Sequence, residues 1–287
     1  MPDKRLIIVT GPTAVGKTDY CITLARKYDS PVISCDSRQI YRQMKIGTAV
    51  PSDEELAAVR HYFIRELDIT TPYSAGQYEI DALALVRRLF TEGHDTLVMA
   101  GGSSFYVEAI RHGLSTIPDT PPTLRQELSS LLKSNGLQSL ADELRRLDPK
   151  GWEAVDRQNG QRVLRALEVV RMTGRSFTAF RQYEAKKREF SIKTICLDRP
   201  REELYRRIDA RVDAMIEEGL IEEVRKLVPY KGLNALHTVG YTEIFDYLDN
   251  KIPLEEAIRL IKRNTRHYAK KQLSWWRRAE DIEWLFL

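Results

Sequence analysis

Gly11-Pro12-Thr13-Ala14-Val15-Gly16-Lys17-Thr18 carries the most explicit chemistry in this sequence of 287 residues. It matches G-x-x-x-x-G-K-[ST], in which small residues let successive backbone N–H groups curl around phosphate oxygens. Lys17 adds a mobile positive charge, and the hydroxyl of Thr18 can hold a magnesium ion that bridges two phosphates. A di- or triphosphate is the expected ligand. Asp36 is a second candidate. It could accept a proton from an attacking nucleophile or hold a substrate, or it could simply cap the next turn. Arg207 and Arg211 lie one helical turn apart and share a face. They could clamp a diphosphate, or pair at the surface with Asp209, Asp213 or Glu203.

These residues need particular elements to bring them together. Leu6 to Val9 is a short apolar run that reads as a buried strand, and Tyr20, Cys21, Leu24, Ala25 and Tyr28 have helical spacing. Strand, phosphate loop and helix N-terminus therefore follow in the order that anion binding requires. Pro31 to Cys35 reads as a second strand ending at Asp36, which places Asp36 at the carboxyl end of a parallel sheet, facing the loop. Lys45 to Ser52 is a loop, Ser52-Asp53-Glu54-Glu55 opens a short helix, and His61 to Leu67 is a candidate strand in which His61 is read as structural. Ser74 caps a helix whose apolar side is Ile80, Leu83, Ala84, Val86, Leu89 and Phe90, ended by Gly93. The strand Thr96 to Ala100 is followed by Gly101-Gly102-Ser103-Ser104, a close-approach site for a ligand or a capped strand-to-helix turn. No Asp stands at the end of that strand to hold magnesium as in a nucleotide-driven switch.

Pro118, Pro121 and Pro122 then punctuate a linker, and three helical patterns follow, centred on Leu128, Leu140 and Leu164. The simplest account is a helical insertion, 118–190, in an α/β protein with a phosphate-loop parallel sheet core and helices on both faces. The core would be 1–117 and 191–287. Ser191 to Leu197 returns to the sheet, a long helix runs from Pro200 through Val224, and another from about Pro253 to Trp276. Ile282 to Leu287 could be a final strand.

Charge is distributed unevenly. The net charge is only +4, yet Arg259 to Arg278 holds eight cations and no acid. Between Arg157 and Lys193 ten basic residues outnumber three acids, with Phe177, Phe180, Tyr183 and Phe190 interleaved. Such segments suit nucleic acid; the second could equally be a solvated helix face over a small core. Composition is that of an ordinary globular protein. No apolar run reaches membrane-spanning length, Met1 to Arg5 leave no room for a signal peptide, and Cys21, Cys35 and Cys196 form neither a disulfide framework nor a zinc site. The expected setting is the cytoplasm, without a membrane.

The sequence resembles the bacterial tRNA dimethylallyltransferases, also called tRNA isopentenyltransferases. The resemblance is carried by GPTAVGKT at 11–18, CDSRQIYRQMKIGTAVPS at 35–52, GGSSFYVEAI at 101–110, QNGQRVLRALEVVRMTG at 158–174, RIDARVDAMIEEGLIEEV at 207–224, TVGYTE at 238–243 and TRHYAKKQLSWWRR at 265–278. It implies transfer of a dimethylallyl group from dimethylallyl diphosphate to N6 of the adenosine beside the anticodon of tRNA. Gly11 to Thr18 and Arg211 would bind the diphosphate, Thr18 would carry magnesium, and Asp36, Thr18 and Arg211 would be catalytic. The tRNA contacts would be Asp36, Ser37, Arg38, Gln39, Ser103, Gln161, Arg162, Val163, Leu164, Arg165, Lys270, Lys271 and Gln272. Ser103 departs from the family's Gly-Gly-Thr but keeps a hydroxyl. One RNA-binding crevice per chain suits a monomer. A nucleotide prenyltransferase, a small-molecule kinase and a nucleotide-switched RNA binder are the competing classes.

Overall fold

The computed structural model describes residues 4–114, 120–180 and 186–287. Of the residues singled out above, Met1, Pro118 and Tyr183 lie outside the described ones. The chain divides into two compact units, one formed by Met1–Arg111 with Lys187–Leu287 and the other by His112–Lys186. Among the described residues no helix is long and apolar enough to cross a membrane.

The first unit is built on six parallel strands in the order β3-β2-β4-β1-β5-β6. They are β1 (Arg5–Thr10), β2 (Val32–Ser34), β3 (His61–Tyr62), β4 (Thr96–Ala100), β5 (Ser191–Asp198) and β6 (Ile282–Phe286). Alternation sends their side chains to two cores, as burial on both faces demands. Leu6, Ile8, Ile33, Leu97 and Met99 pack with α3 (Ala75–Thr91), α4 (Ser104–His112), α9 (Leu220–Lys226) and α10 (Tyr241–Leu248). Ile7, Val9, Val32, Val98, Ile195 and Leu197 pack with α1 (Lys17–Tyr28) and α8 (Arg201–Glu217). The long α11 (Leu254–Trp276) serves both, giving Ile261 and Trp276 to the first core and Ala269 to the second. The parallel α/β core expected from the sequence is present.

The second unit holds α5 (Pro122–Leu147), α6 (Pro149–Ala154) and α7 (Gly160–Thr173) around Leu128, Leu140, Leu144, Val163, Leu164 and Leu167. Gly136 takes non-helical φ 78° and ψ 171° and breaks α5 into the two repeats that the leucines mark. Helix α6, opened by the Asp148 side chain accepting from the Gly151 amide, was not read from the sequence.

Four expectations need correction. The strand expected over His61 to Leu67 stops at Tyr62, because Phe63 and Arg65 take left-handed φ of 61° and 55° and Glu66 accepts from the Phe63 amide. Ile80 does not belong to the apolar face of α3; it is 64% exposed. The long helix after Pro200 is two, α8 and α9, divided at Gly219 with φ 99°. Some of the cations of 259–278 do have counter-charges, supplied from outside that stretch: Arg259 pairs with Glu256, Lys262 with Asp213, Arg266 with Asp209 and Arg277 with Asp198.

Candidate active site

A cleft of about 610 Å³ opens at the carboxyl ends of β1, β2 and β4, where an open parallel sheet offers its loops to a ligand. Thr13 to Thr18 contribute to one wall, Ser34, Asp36 and Gln39 to another, and the 45–53 segment to a third. Gly101 and Gly102, Arg207 and Arg211, and Tyr268 and Gln272 complete the parts that matter for chemistry.

The loop between β1 and α1 is held open by its neighbours rather than by itself. Gly11 has φ 138°, and a Cβ there would lie 2.5 Å from the Leu197 carbonyl oxygen, so only glycine fits. Arg199 Nε donates to the Val15 carbonyl at 2.7 Å and Arg207 Nε to the Ala14 carbonyl at 2.8 Å. Lys17 Nζ donates to the carbonyls of Gly11 and Pro12 at 3.1 and 2.8 Å. The carbonyls are thus occupied by cations, while the amides of Ala14 and Gly16 and the N-terminus of α1 make no bond among the described residues and remain for an anion.

The electrostatics point the same way. Burial, and then the Arg211 guanidinium, bring the Lys17 ammonium down to about 8. Arg211 is itself pushed below its ordinary value by burial and then by Arg207. Among the described residues, Lys17, Arg207 and Arg211 form no ion pair. The three acids expected to pair with the two arginines are engaged elsewhere, and Asp19, Glu55 and Glu218 act on Arg211 across the cleft without forming an ion pair with it among the described residues. Glu203 holds Arg199, Asp209 holds Arg266 and Asp213 holds Lys262. Surface pairing of Arg207 and Arg211 is therefore not realised. Arg207 acts on Arg211, and Arg211 on Lys17, in a partly desolvated cleft, an arrangement that an incoming anion would relieve.

Asp36 faces this cluster. Its Oδ1 accepts from the amides of Arg38 and Gln39 at 2.8 and 3.2 Å. The capping reading is thus correct for one oxygen, while Oδ2 has no partner among the described residues. The Ser37 amide donates to Ser103 Oγ at 3.0 Å, and Ser103 Oγ donates to Ser37 Oγ at 3.2 Å. The serine hydroxyl thus ties the segment after β2 to the segment after β4. Gln39 Nε2 donates to the carbonyls of Thr48 and Ala49 at 3.0 and 2.9 Å, and Arg38 reaches the Asn234 carbonyl at 3.3 Å.

The expected RNA contacts fall in both units. Gln161 and Arg162 are exposed in the first turn of α7, in the second unit. Val163 and Leu164 are core residues of that unit, so their side chains are closed to RNA, a correction that follows from their apolar helical spacing. Arg165 donates to Glu168 and Thr120. Lys270 and Lys271 are exposed on α11 with no ionic partner among the described residues. Gln272 is a second correction. It is 4% exposed, its Oε1 accepts from the Thr13 amide at 2.9 Å and its Nε2 donates to the Gly102 carbonyl at 2.9 Å. It bridges the phosphate loop to the turn after β4 instead of gripping a stem.

Two contributors were missed. Tyr268, 44% exposed, lines the cleft from α11. Glu223 of α9 accepts from the amides of Lys45, Ile46 and Gly47 at 2.9, 2.7 and 3.0 Å, and from the Tyr241 hydroxyl at 2.6 Å. A Cβ on Gly47 would lie 2.6 Å from the Tyr241 ring. One carboxylate therefore fastens the 45–53 wall. Replacing Glu223 with alanine leaves three amides and a phenol unsatisfied. We expect a loss of about 2–3 kcal/mol, read as a lower denaturant midpoint at unchanged slope, together with weaker binding in the cleft. An unchanged midpoint would show that the wall stands without its anchor.

Comparison with known proteins bears directly on this cleft. The family model described as IPP transferase matches residues 39–279. The chain is similar to tRNA dimethylallyltransferase 1 of Phocaeicola vulgatus, 47% identical over 99% of this chain and 94% of that one. It is also similar to tRNA dimethylallyltransferase 1 of Bacteroides thetaiotaomicron, 47% identical over 97% of this chain and 90% of that one. Among solved structures, the tRNA isopentenylpyrophosphate transferase of Bacillus halodurans superposes with a TM-score of 0.71 at 38% identity, covering 99% of this chain and 90% of that one. A eukaryotic dimethylallyltransferase captured acting on tRNA gives 0.83 at 25% identity, covering 99% and 74%. A family model spanning most of the sequence and relatives nearly half identical along its length agree with the cleft's chemistry: the chain belongs to the IPP transferase family, and it is a prenyl-transferring enzyme.

Proposed function

We propose that the protein transfers the dimethylallyl group of dimethylallyl diphosphate to the exocyclic N6 of the adenosine immediately 3′ of the anticodon in tRNA, with diphosphate leaving. The observation that carries the reading is the set of three cations without ionic partners around the phosphate loop, with the open Oδ2 of Asp36 in the same cleft. The phosphate loop of Gly11 to Thr18, through the amides left open at Ala14, Gly16, Lys17 and Thr18, and the guanidinium of Arg211 bind the diphosphate. Lys17 exchanges its carbonyl bonds for phosphate oxygens. As the carbon–oxygen bond breaks, charge grows on the diphosphate, and these donors are already in place to stabilise it.

Asp36 takes the proton that N6 sheds on attack. Adenine N6 is a poor nucleophile, so the carboxylate acts chiefly through position. Ser37 to Gln39 and Ser103, joined by the bridge through the Ser103 hydroxyl, form the surface against which the extruded base rests. Lys270 and Lys271, with Gln161 and Arg162 of the helical second unit, meet the anticodon stem-loop. The insertion, 118–190, is thus an RNA-binding domain. The enzyme works in the cytoplasm, as a monomer.

The donor set fits magnesium. The Thr18 hydroxyl makes no hydrogen bond among the described residues, and those residues hold no cluster of metal-binding side chains. Thr18 with substrate phosphate oxygens and water is the arrangement magnesium favours. Bound there, the ion would neutralise part of the diphosphate charge.

Two expected results test this. With tRNA and free AMP, ADP or ATP offered together, only tRNA gains the prenyl group; prenylation of the free nucleotides would contradict it. The second result concerns pH. Lys17, lowered to about 8 by burial first and Arg211 second, is neutral above that pH in the free protein. A bound diphosphate raises it again, so binding takes up a proton there and donor affinity falls as pH rises through about 8. Calorimetry at about pH 9 in buffers of different ionisation enthalpy reads that uptake directly. Binding with no proton uptake would remove Lys17 from the diphosphate.

A further inference from the structure

The face of β2 that carries Asp36 continues inward. Strand side chains alternate, so Val32, Ser34 and Asp36 fall on one side of the chain. Val32 stands in parallel register with His61 of β3, which places His61 on that face too. All four line the cleft, with Cys21 of α1 and Ile64. Ile64 sits between Phe63 and Arg65, whose left-handed backbone is strained for non-glycine residues and is the device that presents Ile64 to the cavity.

In this mostly apolar inner end two polar groups, one buried and one partly buried, have an atom with no protein partner among the described residues. Ser34 is 4% exposed and its hydroxyl has no hydrogen-bond partner. Its carbonyl oxygen accepts from Tyr78 on the other face of the sheet. His61 Nδ1 lies 2.8 Å from the Val59 carbonyl oxygen. A carbonyl can only accept, so Nδ1 carries the proton and Nε2 is an acceptor without a partner among the described residues. Burial holds the imidazole below its ordinary value, which keeps it neutral. A buried hydroxyl with no partner is costly and rare enough to need an explanation. A ligand hydroxyl would satisfy both groups at once, accepting from Ser34 and donating to His61 Nε2.

We propose that Ser34 and His61 form a hydroxyl-binding subsite at the inner end of the donor cleft, and that the enzyme accepts as prenyl donor a five-carbon allylic diphosphate bearing a terminal hydroxyl. This rests on the donor reading given above. Two residues of strand separate Asp36 from Ser34, roughly 7 Å. With the reacting carbon beside Asp36, a hydroxyl on the far methyl comes within reach of Ser34. The step itself is unchanged. The bond from the allylic carbon to the bridging oxygen breaks and its electron pair leaves with diphosphate. The bond to N6 forms, the N6 proton passes to Asp36, and the distal hydroxyl is carried intact into the product.

The test compares dimethylallyl diphosphate with both geometric isomers of 4-hydroxy-3-methylbut-2-enyl diphosphate on the same unmodified tRNA, in wild type and Ser34→Ala. The alanine variant removes a hydroxyl that bonds to nothing among the described residues, so folding is not at stake. One hydroxylated isomer should have a kcat/KM within about tenfold of the plain donor. The ratio of hydroxylated to plain kcat/KM should fall at least about tenfold in Ser34→Ala. A wild-type ratio below about one-hundredth for both isomers would overturn the subsite. So would a ratio that Ser34→Ala does not move, including an equal loss with both donors, which would assign Ser34 to the diphosphate or its metal. Product from the plain donor alone removes the subsite and leaves the donor reading intact, whereas product from no donor removes both.

Discussion

Asp36→Asn lowers kcat by about 10²–10⁴ while leaving the fold and the KM for the donor close to wild type. The substitution is informative because of how the side chain is used. Oδ1 caps the turn by accepting from Arg38 and Gln39, and an asparagine oxygen accepts the same two bonds. Only the second oxygen changes, from a carboxylate that can take a proton to an amide that cannot. The structural and chemical roles of one residue are thereby separated. Single-turnover rates with saturating donor and tRNA, beside a thermal melt of each protein, provide the measurement. A rate within tenfold of wild type would mean that N6 loses its proton to another group or to water.

The other large effect belongs to Arg211. Arg211→Ala removes a cation from a site where three stand close and, among the described residues, none is in an ion pair. In a water-poor cleft each charge facing the diphosphate counts heavily, so kcat/KM for the donor should fall about 10³-fold. The same variant has a signature that mere disruption would not produce. Arg211 is the second cause, after burial, of the low value of Lys17. Without it Lys17 moves up from about 8 towards its ordinary value. The alkaline limb of donor binding should therefore shift to higher pH while overall affinity falls. A loss confined to the KM for tRNA would place Arg211 with the RNA instead.

What could be read from the sequence follows a physical division. The phosphate loop, the strand before it and the helix after it are adjacent in the chain, and their chemistry depends on residue types at fixed short spacing. Most sheet strands announced themselves by apolar runs, whereas the two-residue strand His61–Tyr62 did not. The site's supports did not. Gln272 meets Thr13 across 259 positions and Glu223 meets Lys45 across 178. Nothing in the local spacing of either residue hints at a partner so distant. The pairing of Arg207 and Arg211 was open for the same reason. Asp209 and Asp213 stand beside them in sequence, yet both are turned to cations of α11. Only the packing of α11 on α8 shows that the two arginines are free for a ligand. Val163 and Leu164 illustrate the opposite error. Their periodicity already marked them as core, and a motif-wide assignment of RNA contact to 161–165 overrode that signal. The Ser103 hydroxyl was legible in the sequence, but its bonds to Ser37, 66 positions away, were not.

The most direct test of the central claim is nucleoside mass analysis of unmodified tRNA incubated with the purified protein, magnesium and dimethylallyl diphosphate, with no nucleoside triphosphate present, beside Asp36→Asn. The account predicts N6-(dimethylallyl)adenosine at the position 3′ of the anticodon in wild type and a strongly reduced yield in the variant. Absence of the adduct with tRNA still tightly bound, or formation only when a nucleoside triphosphate is added, would contradict it.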